Sequence, residues 1–191
     1  MVWIQLKLNT YWNLLLYSTK IMVIYYFYGV MCLWVSPSKF NIMGLYQRSV
    51  LKNYLSALDD NKVNNAYTEF KSFFFNPVTQ QNIRNSKEEQ FQEGFLRELF
   101  VKILGYTLNP DADYNLISEM KNVSDAKKAD GAILIDNKVV GVIELKGTNT
   151  IDLGKIQQQA FYYLSAHPEA VYVITSNFEK LRFYIQKSND Y

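Results

Sequence analysis

The chain is predicted to fold as an α/β domain, a mixed central sheet flanked by helices. Three patterns carry that prediction. An amphipathic stripe with helical spacing runs from Ser86 to Leu104. Two β-rich runs, Ala129–Ile135 and Val139–Lys146, are joined by Asp136-Asn137-Lys138, a hairpin signature. A second helical stripe, Asp152–Ser165, is followed by two more β-rich runs, "AVYVITS" and "KLRFYIQ". Helices interleaved with strands in this order bury their apolar faces as layers on one sheet.

Composition narrows the chemistry. The 191 residues are 49% apolar and 16% aromatic, enough for a sizeable core and against global disorder. A single cysteine, Cys32, excludes an internal disulfide and a multi-cysteine zinc site. A single histidine, His167, argues against His-rich metal sites and His-based triads. Any metal chemistry therefore falls to oxygen ligands, which favours Mg²⁺ or Mn²⁺. The net charge of +2 is compatible with a local basic patch.

Three segments are expected. Residues 1–43 are an apolar extension, residues 44–85 a helical lead-in, and residues 86–191 the α/β domain. No carboxylate occurs before Asp59, and Trp3, Trp12 and Trp34 all lie in the extension. The uncharged run Ile21–Val35 is shorter than the about 20 residues a membrane span needs. It also lacks the small-residue cleavage site of a signal peptide. Three readings stay open: a non-native upstream translation with the start at Met43, a membrane or amphipathic anchor over residues 11–35, or a core helix. A cytoplasmic protein is expected, with membrane association as the alternative.

In the lead-in, Leu45, Val50, Leu51, Tyr54, Leu55 and Leu58 share one helical face. After a break at Asp59-Asp60-Asn61-Lys62, Val63, Ala66, Tyr67, Phe70, Phe73 and Phe74 form another. "FNPVTQQNIRNS" reads as a connector because Pro77 excludes continuous helix. Ser86 followed by Glu89 has the spacing of a capping box and opens the next helix. Its stripe is Phe91, Phe95, Leu96, Leu99, Phe100, Ile103 and Leu104, with Gly105 placed to end it. Glu89, Glu93 and Glu98 on this helix are candidates to reach a neighbouring site, against the plain reading of solvated residues. Asn115–Met120 is a short strand, and Pro168 closes the helix that ends near Ser165.

The hairpin carries the chemistry. Strand alternation sends Glu144 and Lys146 to one face and turns Leu145 into the core. Whether Asp130 joins them depends on the turn. A regular two-residue turn sets Asp130 across from Ile143, whereas a three-residue turn or a compensating bulge sets it across from Glu144. Two carboxylates at cross-strand distance repel, and one is pushed toward protonation unless a cation intervenes. A Mg²⁺ ion held by Asp130, Glu144 and the Leu145 carbonyl removes that repulsion. Lys146 beside it can orient a water and balance charge on a phosphorus centre. The plain alternative is a set of strand-end charges facing water.

Asp130, a hairpin and then Glu144-Leu145-Lys146 resemble the PD-(D/E)xK nuclease core, whose αβββαβ fold matches the predicted order. Gln159 and Tyr163 stand four apart on the following helix. They resemble the Gln-to-Tyr motif of some branches, which implies a role for Gln159 in the catalytic set and for Tyr163 as support. "KNVSDAKKADGAILIDNKVVGVIELKG" and "TSNFEKLRFYI" are similar to the amino-terminal nuclease region of type IIG restriction enzymes. The resemblance covers roughly residues 44–187. It implies a restriction-endonuclease-like core, Mg²⁺-dependent cleavage of double-stranded DNA, and a methyltransferase and specificity region encoded downstream. Cutting both strands implies a transient dimer on DNA. A remnant that binds DNA without cutting it is the alternative. Lys121, Lys127 and Lys128 before Asp130, with Thr148 and Asn149 after the catalytic strand, are candidates for phosphate contacts.

Overall fold

A computed structural model describes residues 2–7, 56–121 and 128–185. Helix α1, Asp60–Phe74, starts where Asp59 caps it, its carboxylate accepting from Asn61 N at 2.9 Å and Lys62 N at 3.3 Å. The break expected at Asp59–Lys62 is thus an N-terminus. The stripe from Leu45 to Leu55 lies outside the described residues.

The connector expected at Phe75–Ser86 is corrected: Pro77–Asn85 is helix α2, capped by the Asn76 side chain. Proline in the first turn lacks only an N–H that has no helical partner anyway, so here it opens a helix instead of excluding one. The capping box expected from Ser86 is corrected with it. Ser86 closes α2, its hydroxyl donating to Asn82 O at 2.8 Å, and α3 is capped at Lys87 and begins at Glu88. Gln90, not Glu89, reaches back to the start of α3, its Oε1 accepting from Lys87 N at 2.9 Å. Helix α3, Glu88–Phe95, runs into wider π-helical turns over Leu96–Ile103 that bury Leu96, Leu99, Phe100 and Ile103. Gly105 follows at φ 72°, a left-handed conformation that glycine adopts without strain.

The domain's five strands follow the order β6-β5-β4-β3-β2: β2 Leu116–Lys121, β3 Lys128–Ile135, β4 Lys138–Leu145, β5 Tyr172–Ser176 and β6 Lys180–Ile185. All neighbours are antiparallel except β4 and β5, which are parallel and joined by a 3₁₀ turn, Leu153–Ile156, and helix α4, Gln157–Ser165. The predicted α/β order, helix, three strands, helix, two strands, is therefore present. Residues Val2–Lys7, β1, lie antiparallel along the outer edge of β6. That segment was expected to stand in an extension apart from the domain; residues 8–55 lie outside the described residues. No helix among the described residues is long and apolar enough to cross a membrane.

Alternation along the strands divides the core in two. Ile133, Ile143, Leu145, Ile174 and Phe183 pack with Phe70, Phe74 and Phe95 of α1 and α3. Ala132, Val142, Val173 and Tyr184 pack with Tyr163 and Leu164 of α4. The β3–β4 hairpin shows how the register is set. Its turn has two residues, Asp136 and Asn137, at φ 50° and 62°, a left-handed pair that Asp and Asn tolerate. Leu134 pairs with Val139, but Ile133 pairs with Gly141, so Val140 is extra and bulges from β4. The bulge explains why Val139 and Val142, of opposite parity, both belong to the α4 side. At Gly141 no side chain fits, because a Cβ would lie 2.2 Å from Cε2 and 2.3 Å from Cζ of Tyr172 on β5.

Candidate active site

The bulge positions the carboxylates. Beyond it, Gly131 pairs with Ile143, and the same register carried one step further sets Asp130 beside Glu144. The turn has two residues, and the bulge branch of the expectation supplies the alignment. Asp130 sits at a disturbed point of β3: the ladder to β2 skips it and Glu119, and Glu119 has φ 52°. Its Oδ2 accepts from Leu145 N at 2.7 Å and its Oδ1 from Gln92 Nε2 at 3.0 Å.

Glu144, 1% exposed, is the polar centre of the site. Its Oε1 accepts from Lys146 Nζ at 2.7 Å and from Gln159 Nε2 at 2.6 Å. Its Oε2 is buried without a protein hydrogen-bond partner among the described residues. Lys146 Nζ also donates to Leu145 O at 2.9 Å and lies 3.4 Å from Glu88 Oε1. Glu88 Oε2 accepts from Gly147 N at 2.8 Å, so α3 grips the exit of β4 at both backbone and side chain. Gln159 Nε2 reaches Tyr163 Oη at 3.3 Å, and Tyr163 otherwise belongs to the core beneath α4.

Electrostatics follow from burial. Desolvation, reinforced by the charge of Asp130, pushes the Glu144 carboxyl up to about 7, against the opposing pull of Lys146. Burial likewise raises Asp130, although the Leu145 N–H and Lys146 work against it. For Lys146, burial opposes the charge, but the bond to Glu144 and the carboxylates around it leave its ammonium raised. The result is a lysine held charged beside two carboxyl groups that resist being ionised together.

The site therefore gathers Asp130, Glu144, Lys146, the Leu145 carbonyl, Gln159 and Tyr163, all from the sequence reading. The helix acids are corrected. Glu93 pairs with Arg97 and Glu98 with Lys102 along the helix, and Glu89 is exposed. The residues that face the site are Glu88 and Gln92. With α3 starting at Glu88, those two share a face at i and i+4, while Glu89 and Glu93 rotate about 100° away. Among the basic candidates, Lys121 is exposed, Lys128 pairs with Glu119 at 2.9 Å, and Lys127 lies outside the described residues. Thr148 is half-buried and Asn149 exposed in the loop after β4. That loop is anchored by Asn177, whose Nδ2 donates to Thr150 O at 2.8 Å.

The chain matches no family model, no curated protein and no solved structure. Its chemistry must be read from the site alone. Two neighbouring carboxylates, an adjacent carbonyl and no soft ligand form a donor set suited to a hard divalent cation. Among the described residues, no three His, Cys, Asp or Glu side chains are placed to hold one metal ion together. A cation here would take Asp130, Glu144 and the Leu145 carbonyl, with water completing its shell. The buried, unpartnered Oε2 of Glu144 and the mutual repulsion of the two carboxylates fit that assignment.

Proposed function

We propose that the chain is a Mg²⁺-dependent DNA endonuclease of the PD-(D/E)xK kind, with the restriction-endonuclease-like core found in type IIG restriction enzymes. Mn²⁺ is an expected substitute, and double-stranded DNA is the substrate. The observation that carries this reading is the convergence of Asp130, Glu144 and Lys146, with Glu144 and Lys146 bonded at 2.7 Å. When bound, the cation supplies a polarised water and neutralises charge on the scissile phosphate.

The chain's own residues do the rest. Asp130 and Glu144 hold the cation from two adjacent strands, and Gln159 fixes the orientation of Glu144 from α4. Lys146 places a positive charge where negative charge grows on the phosphate, the interaction that counts most in a water-poor site. Glu88 holds Lys146 from the opposite side and fixes the backbone at Gly147. Lys121, Lys127, Lys128, Thr148 and Asn149 lie on the segments flanking Asp130 and Lys146, and phosphate contacts are assigned to them. A methyltransferase and specificity region as its partner, and a transient dimer on DNA, complete this reading.

The test is nicking of supercoiled plasmid by the purified chain in Mg²⁺, beside Glu144→Ala and Lys146→Ala. The wild type is expected to nick and to stop on chelation, with both variants slower by at least about a hundredfold. Equal nicking by all three overturns the assignment. DNA retention without nicking by any of them identifies a binding remnant.

A further inference from the structure

One polar side chain on the α4 side of the sheet has no role in the site described so far. Thr175 on β5 pairs in register with Glu144 on β4, so the two side chains project from the same face of neighbouring parallel strands. Thr175 is 0% exposed, and its Oγ1 has no protein hydrogen-bond partner among the described residues. Its neighbour along that face, Val173, is packed in the apolar layer beneath Tyr163 and Leu164. A valine has nearly the same shape as threonine and carries no hydroxyl to desolvate, so a buried, unbonded hydroxyl here is unfavourable. The group that the register brings beside it is Glu144, whose Oε2 is also buried and unpartnered.

We propose that Thr175 is a positioning residue for Glu144, its hydroxyl reaching Oε2 through one bridging water. Lys146 and Gln159 hold Oε1 from one side, and Thr175 holds Oε2 from the other, which fixes the plane of the carboxylate. Oε2 keeps a second lone pair for a cation. The consequence for metal binding rests on the nuclease reading above, whereas the contact itself does not.

Two measurements on the full chain separate these. The first is a double-mutant cycle in urea at pH 8 with Thr175→Val and Glu144→Leu. Thr175→Val is expected to lower the unfolding midpoint in the wild-type background. In the Glu144→Leu background it should leave the midpoint unchanged or raise it. An equal shift in both backgrounds overturns the proposal. The second is the Mg²⁺ dependence of plasmid nicking. Thr175→Val is expected to raise the Mg²⁺ concentration at half-maximal rate by about tenfold or more, the usual effect of losing a residue that orients a ligand. Thr175→Ser, which keeps the hydroxyl, restores it. A Thr175→Val chain with the wild-type Mg²⁺ profile also overturns the proposal. Where the wild type itself does not nick, the nuclease reading fails and the urea cycle alone decides the Thr175 contact.

Discussion

Replacing Glu144 by Gln tests the electrostatics of the site without touching DNA. Burial and the charge of Asp130 raise the Glu144 carboxyl from 4.5 to about 7. A carboxyl raised on folding binds its proton more tightly in the native state than in the unfolded chain. Its contribution to stability is therefore complete below about pH 4.5 and is lost as pH rises through 7. Raising the carboxyl from 4.5 to about 7 corresponds to ~3.5 kcal/mol in all, of which ~3 kcal/mol falls between pH 4.5 and 8 because the unfolded carboxyl is already half ionised at pH 4.5. Glutamine keeps the shape and an oxygen for Lys146 and Gln159 but does not titrate. Urea unfolding of both chains, without divalent cation, gives the comparison across pH 4.5 to 8. The stability of the wild type relative to Glu144→Gln is expected to fall by ~3 kcal/mol over that range. Saturating Mg²⁺ at pH 8 should recover much of the loss in the wild type and little in the variant. Parallel pH profiles for the two chains would refute the account of Glu144 as a strongly desolvated carboxyl.

Three further outcomes are expected. Gly141→Ala drives a methyl group into the buried ring of Tyr172, and chemical denaturation should show a loss of about 1–3 kcal/mol. Glu88→Gln weakens the hold on Lys146 and Gly147, so single-turnover nicking should slow by roughly tenfold or more, while Glu89→Gln, on an exposed residue, leaves the rate unchanged. Asn177→Asp removes the donor to Thr150 O, and hydrogen exchange across residues 147–151 should quicken relative to the strands.

Most of the fold was legible because it rests on periodicity. The stripe of α3, the β3–β4 hairpin and the return through α4 to β5 and β6 all follow from spacing in the sequence, whereas the parallel pairing of β4 with β5 is seen only in the fold. The alignment of Asp130 with Glu144 was legible only as a choice between turn and bulge. Sequence does not say which residue bulges, because Val139, Val140 and Val142 are alike in β preference, and the decision lies in packing against α4 and Tyr172. Glu88 and Gln92 were missed for a different reason. Which face of α3 meets the hairpin is set by packing, and neighbouring positions on a helix point about 100° apart, so Glu88 faces the site and Glu89 does not. The signal was present, since Glu88 and Gln92 are four apart. Pro77 was read as a breaker although Asn76 before it is a favourable cap, the pairing that opens a helix. Val2–Lys7 alternates apolar residues at Val2, Ile4 and Leu6, a strand pattern hidden by the unusual composition around it.

Anomalous scattering from a crystal of the chain soaked in Mn²⁺ tests the central claim most directly. The account predicts one strong peak between the carboxyl groups of Asp130 and Glu144, ~2.1 Å from an oxygen of each and close to the Leu145 carbonyl. A well-ordered crystal with Mn²⁺ at other sites and none between these two side chains would contradict it.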